Sequence, residues 1–146
     1  MLSYTIDGIS GSKAMVRTPF GGGFTKRDVG DMWWGGSSEN GWGINIAQHD
    51  DTLFSVWYTY GIDKKSQWFV MSGGSWNNNT YSGPFYSTTG SRWFGAAYDS
   101  SALRVAPVGS MSLNFTNPDL ATFNYVFLSG PFAGTSQTKT ITRLGY

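Results

Sequence analysis

The chain has 146 residues, of which 17% are aromatic and only 13% charged, with a net charge of +1 and no cysteine. That length holds one domain with a proper core and at most a small appendage. The charge balance leaves no basic surface for a nucleic acid, and the missing thiols exclude disulfides and thiolate metal sites.

Period-two alternation recurs along the chain and sustained helical periodicity does not. Residues 1–20 alternate and read as a β-hairpin. Residues 21–30, GGGFTKRDVG, read as a Gly-rich linker in which Lys26 and Arg27 are solvated. Residues 31–146 read as one complete β module. Its expected strands are DMWW, GWGINIAQ, TLFSVWYTY, QWFVMSG, TYSGPFYST, a long strand from Leu103 to Phe115, ATFNYVFL and QTKTITRL. Asn, Asp and Gly mark the turns between them, in HDD, GIDKKS, SWNNN, NPD and SGPFAG. SRWFGAAYDSS is a longer loop with room for one helical turn. In the long strand Leu103, Val105, Pro107, Gly109, Met111, Leu113 and Phe115 are expected on one face. The fold class that follows is all-β: an antiparallel eight-stranded meander closed or nearly closed into a barrel, plus an extra N-terminal hairpin. A two-sheet β-sandwich is the alternative. A barrel of eight strands is filled by side chains or holds one small ligand.

The two ends of the chain read alike. Tyr4 aligns with Tyr125, Lys13 with Lys139, Met15 with Ile141, Arg17 with Arg143 and Phe20 with Tyr146. The spacing from Lys13 to Lys139 makes one repeat about 126 residues long, so residues 1–20 are expected to be the last hairpin of a preceding copy. Two ordinary hairpins sharing a pattern by chance is the competing reading.

WW, SSENGWGIN, DTLFSVWYTY, YSGPFY and the K-x-I-x-R strand at Lys139–Arg143, spanning Trp33 to Arg143, resemble tandem aromatic-rich β modules of secreted and surface bacterial proteins. This chain has EN where that pattern often has ES, and Gly61-Ile62-Asp63 where it often has Asp directly after Tyr. The resemblance implies export and repetition and no defined activity. More loosely, the meander is similar to avidin-like and lipocalin-like barrels, which raises the expectation of a ligand at the barrel mouth. An extracellular or cell-surface location follows, with any export signal outside these residues. No run approaches the roughly 18 apolar residues of a membrane helix, so no membrane span is expected.

Titratable groups are few: one histidine, His49, one glutamate, Glu39, and eight aspartates, most of them in expected turns. His49-Asp50-Asp51 reads as a solvated hairpin turn rather than a base or metal shell. Glu39 with an aspartate meets the minimum for glycosidase chemistry, but no spacing selects the partner. A GxSxG elbow, a phosphate loop and an EF-hand pattern are all missing. We therefore expect no catalysis, no metal and no cofactor.

Aromatic surface is in excess, with seven Trp, eight Tyr and ten Phe. TLFSVWYTY and QWFVMSG are bulky on both faces, so one face of each must be covered or be a contact surface. The expected function is a non-catalytic extracellular binding module whose aromatic cleft or platform takes a glycan or a small apolar ligand. Trp76, Trp93, Tyr81, Tyr86, Trp68, Tyr58 and Asn45 are the candidate ligand-binding residues. Trp33, Trp42 and Trp57 read as core, and the glycines of GWG as a barrel corner or a close backbone approach. The alternatives are a structural, self-associating module whose residues 1–20 pair with a homo-oligomeric partner or neighbouring module, and an accessory domain of a secreted hydrolase.

Overall fold

Adjacent residues on a strand point to opposite faces, so in DMWW Trp33 enters the core and Trp34 faces outward. Trp33 is fully buried and Trp34 is half-buried. The same alternation, repeated on every strand, builds the whole molecule. The computed structural model describes residues 1–16, 28–92 and 95–145.

The strands are β1 (Leu2–Ile6), β2 (Ile9–Lys13), β3 (Asp31–Trp34), β4 (Gly43–His49), β5 (Thr52–Tyr60), β6 (Ser66–Met71), β7 (Ser75–Asn77), β8 (Thr80–Thr89), β9 (Arg104–Asn117), β10 (Leu120–Phe127) and β11 (Ser136–Arg143). β1 and β2 form a separate two-stranded sheet. Their two-residue turn places Asp7 at φ 50° and Gly8 at φ 80°, the left-handed pair that matches the twist of a tight hairpin. The remaining strands follow the order β6-β5-β4-β3-β11-β10-β9-β8-β7, and β6 also pairs with β8. That pairing closes an eight-stranded antiparallel barrel, with β7 a short addition beside β8. The barrel is the architecture expected above, and the sandwich is not formed.

Two expectations need correction. SWNNN, read as a turn, contains β7, which pairs with β8 through Trp76↔Tyr81. The long strand does not keep one apolar face. Its register against β8 slips between Phe85↔Gly109 and Tyr86↔Pro107, a bulge that absorbs Val108 and reverses the alternation before it. Met111, Leu113 and Phe115 are buried as expected, whereas Leu103 and Val105 are more than half exposed. The long loop does hold a helical turn, a 3-10 turn at Ser100–Ala102 capped by the Asp99 carboxylate. A second 3-10 turn, Ser37–Glu39, lies between β3 and β4. Residues 17–20 of the expected hairpin, residues 21–27 of the expected linker and Trp93 lie outside the described residues.

Rings fill the interior. Trp57 is the hub: its ring lies 4.6 Å from Tyr125, 5.2 Å from Phe123 and 5.4 Å from Phe69, with Phe85 and Phe127 at about 6 Å. Aliphatic side chains such as Ile44, Leu53, Met71, Leu113 and Ile141 complete the packing. Aromatic pairs of this kind contribute about 0.5–1.5 kcal/mol each beyond the area they bury. Phe127 touches four other rings, those of Phe69, Phe85, Tyr125 and Phe132, besides Trp57. Phe127→Ala is therefore expected to lower stability by about 3–5 kcal/mol. Thr138→Ala, on the exposed outer wall, should stay within about 0.5 kcal/mol of the parent. Urea midpoints at unchanged m-value measure both.

Candidate functional site: an aromatic outer wall beside the barrel mouth

The outward positions of β3 to β6 line up in register. Trp34 lies opposite Gly43, Gly43 opposite Tyr58, and Tyr58 opposite Trp68. The next row is Met32, Asn45, Val56, Val70 and, across the closing seam, Tyr86. Asn45 Nδ2 donates to Met32 Sδ at 3.1 Å. Tyr58 and Trp68 are each 48% exposed, and Tyr60 at the strand end is 52% exposed.

Gly43 shapes this wall. A Cβ there would lie 2.8 Å from the Trp33 carbonyl oxygen, so β4 can approach β3 only without a side chain. The gap leaves a groove of ≈ 290 Å³ between Trp34 and Tyr58, lined also by Met32, Asn40, Gly41 and Trp42. The close backbone approach is what GWG was expected to serve.

Trp42 also lines the neighbouring pocket in the barrel mouth, ≈ 190 Å³, with Trp57, Thr59, Phe123, Tyr125, Gln137 and Lys139. The polar groups here hold one another. Lys139 Nζ donates to Glu39 Oε1 at 2.8 Å, and Trp42 Nε1 donates to Glu39 Oε2 at 3.1 Å. Tyr125 Oη donates to Gln137 Oε1 at 2.8 Å. The hydrogen bond from Lys139 holds the Glu39 carboxyl below the usual carboxylate range. Burial pushes the Tyr125 hydroxyl above the ordinary phenol value, against the opposing charge of Lys139. Among the described residues no hydrogen-bond partner reaches the buried Trp57 Nε1.

The other end of the barrel is closed differently. Arg143 Nη1 donates to Asp31 Oδ2 at 3.2 Å, Nη2 to the Asp28 carbonyl at 2.6 Å, and Nε to the Pro118 carbonyl at 3.0 Å. The guanidinium lies over the Trp33 ring at 5.3 Å. The opposite outer wall, on β8 to β11, is a grid of small polar side chains. Thr138 Oγ1 donates to Asn124 Oδ1 at 2.7 Å, and Asn114 Nδ2 donates to Thr80 Oγ1 at 2.6 Å. A hollow of ≈ 750 Å³ runs along it, lined by four serines, Asn124 and Thr138 together with Met111, Tyr125 and Val126. It is larger than the groove but has one aromatic residue, Tyr125, in its lining.

Of the expected ligand-binding residues, Tyr58, Trp68, Asn45 and Tyr86 share the aromatic wall. Tyr81 does not join them: it is fully buried, and its hydroxyl accepts from the Leu53 amide at 3.2 Å. Trp76 seals the far end, 5.1 Å from Tyr81 and 5.8 Å from Phe115, with Nε1 donating to the Asp51 carbonyl. Trp34 and Gly43 were missed, although the WW dipeptide carried the signal, because two adjacent strand residues cannot both face the core. His49 Nδ1 lies 3.5 Å from Asp50 Oδ2 in the β4–β5 turn. Among the described residues no group of three or more His, Cys, Asp or Glu gathers to hold a metal, and no helix is long and apolar enough to cross a membrane. Comparison with known protein families, curated proteins and solved structures gave no match.

Because the Glu39 carboxyl is held low in the folded state, its pairing stabilises the barrel fully above the ordinary carboxylate value. That contribution is lost as pH falls through the lowered folded value. Glu39→Gln should thus be destabilised most at neutral pH, and its deficit should shrink on acidification below about pH 4. Urea midpoints of the two proteins across pH measure it; a deficit that does not narrow contradicts the pairing.

Proposed function

We propose that this chain is a non-catalytic binding module that takes a glycan on its aromatic outer wall, outside the cell. The observation that carries the reading is the row Trp34, Gly43, Tyr58 and Trp68: two half-exposed rings side by side on β5 and β6, a third across a glycine-floored groove. The C–H face of a pyranose stacks on such rings, and its hydroxyls need amides or phenols at the rim. Asn40 lines the groove and Tyr60 lies beyond Tyr58 on the same face of β5. A wholly apolar small ligand favours a more enclosed pocket that buries most of its surface. An open wall suits a chain of sugars lying across the strands.

Magnitude argues for weak binding by a single copy. Covering about 100 Å² on each of two rings contributes about 5 kcal/mol before the cost of ordering the ligand; with nothing subtracted that is a dissociation constant of about 0.2 mM, and the ordering cost makes net binding weaker still. Binding of that strength becomes useful when copies are linked, because a second contact is then intramolecular. The proposed repetition of the module fits this need.

Titration with a panel of soluble polysaccharides, followed by tryptophan fluorescence and calorimetry, tests the proposal. At least one glycan should perturb the emission. Trp68→Ala and Tyr58→Ala should each weaken that glycan about tenfold or more, as expected for the loss of a stacked aromatic anchor. Thr138→Ala, on the polar wall, should bind as the parent does. A silent panel, or binding untouched by both aromatic variants, would sink the reading.

A further inference from the structure

The N-terminal hairpin repeats the closing hairpin of the barrel in register as well as in residue type. Leu2 pairs with Lys13 as Phe123 pairs with Lys139, and Tyr4 pairs with Gly11 as Tyr125 pairs with Gln137. Ile6 pairs with Ile9 where Phe127 meets Thr135 through a 2.9 Å hydrogen bond. The five-residue difference in length falls entirely in the turn. In β10–β11 the face bearing these residues is the interior of the barrel, with Phe123 and Phe127 buried and Lys139 turned to Glu39. In β1–β2 the apolar residues at the corresponding positions are far more exposed: Leu2, Ile6 and Ile9 are 40–46% exposed. A two-stranded hairpin alone is marginal in water.

We propose that β1–β2 is a second barrel-closing hairpin, and that the partner it fits is the slot between β9 and β3 of another copy of this chain when that copy's own β10–β11 is out of place. Register assigns the contacts. Ser3 takes the place of Asn124 opposite Ser112, and Tyr4 that of Tyr125 opposite Met111. Lys13 comes to Glu39, which supplies the charge that a lysine on an interior face requires. The turn from β9 to β10 contains only Pro118 and Asp119, so a chain's own closing hairpin is tethered at its slot and outcompetes a free one. Exchange therefore depends on an open acceptor. The inference is independent of glycan binding, which uses the outer wall of β3 to β6.

Two full-length chains test it. The acceptor carries Phe123→Asp and Ile141→Asp, which place carboxylates in the core and expel β10–β11, Leu2→Asp and Ile6→Asp, which disable its own β1–β2, and Ser112→Cys. The donor is native except for Ser3→Cys. The natural sequence has no cysteine to interfere. Refolded together in an oxidising glutathione buffer, they should form a 1:1 disulfide-linked heterodimer. Its yield should be at least about tenfold above that of a control acceptor with Thr116→Cys instead of Ser112→Cys, since docking raises the effective concentration of only the registered pair. A yield equal to the control overturns the proposal. As a second measurement, an acceptor with Leu2 and Ile6 restored and no introduced thiol is refolded alone. It should regain the barrel's near-ultraviolet circular dichroism by using β1–β2, and failure to regain it also overturns the proposal.

Discussion

The barrel depends on closing two narrow seams. Most neighbouring strands are joined by long ladders, whereas among the described residues β11 meets β3 through Thr142↔Trp34 and Arg143↔Trp33, extended by the Leu144 amide donating to the Met32 carbonyl at 2.8 Å, and β6 meets β8 through Val70↔Tyr86. Backbone ladders at these seams are short, and side chains reinforce them. At the first seam Arg143 joins β11 to Asp31 and the Asp28 carbonyl while covering the Trp33 ring. Lys139 joins the same strand to Glu39, at the other end. At the second, Phe69 of β6 meets Phe85 of β8 edge-to-face at 5.6 Å inside the barrel. The aromatic excess and the K-x-I-x-R strand thus answer the same constraint: an eight-stranded ring whose two halves are joined by short ladders.

Filling the interior with rings decides where binding can occur. With Trp57 and its five aromatic neighbours in the centre, the space available to a ligand moves to the mouth and the outer wall. The mouth polar groups are mutually engaged, Glu39 by both Lys139 and Trp42, so a ligand entering there would have to break the ion pair that helps close the first seam. The outer wall carries no such cost. Its aromatic half and its Ser/Thr/Asn half are separated by the same two seams, which gives the barrel two chemically distinct sides.

Much of this was legible in the sequence because alternation and turn chemistry are local. DMWW and TLFSVWYTY are strands to the residue, and Asp50 at φ 51° sits in the turn marked by HDD. Non-local facts were not legible. The bulge at Val108 reflects how β8 and β9 slide past each other; Pro107 and Gly109, both disfavoured inside a regular strand, carried its signal but not the register it produces. Trp76 and Tyr81 sit among Asn, Ser and Gly and read as exposed, yet pairing β7 with β8 turns both onto the barrel end, where Phe115 and the Leu53 amide are waiting. The Lys139–Glu39 pair links residues a hundred positions apart; its two members were visible only as parts of separate motifs.

The end-to-end likeness acquires a physical meaning from the inner face of β11. Alternation puts Lys139, Ile141 and Arg143 in one inward column, so two cations point into a barrel and each must find an acid or a carbonyl at an end. A hairpin with that column is poorly suited to isolation: its apolar residues want cover and its lysine wants a carboxylate. Lys13 and Met15 follow the same column in the N-terminal hairpin, and Gly11 lets the Tyr4 ring lie across its partner strand, as Tyr125 lies toward Gln137. What makes β10–β11 a good lid for this barrel is therefore present in β1–β2 as well. That lid is one contiguous hairpin, held by ring packing, by Lys139 on Glu39 towards one end and by Arg143 on Asp31 at the other.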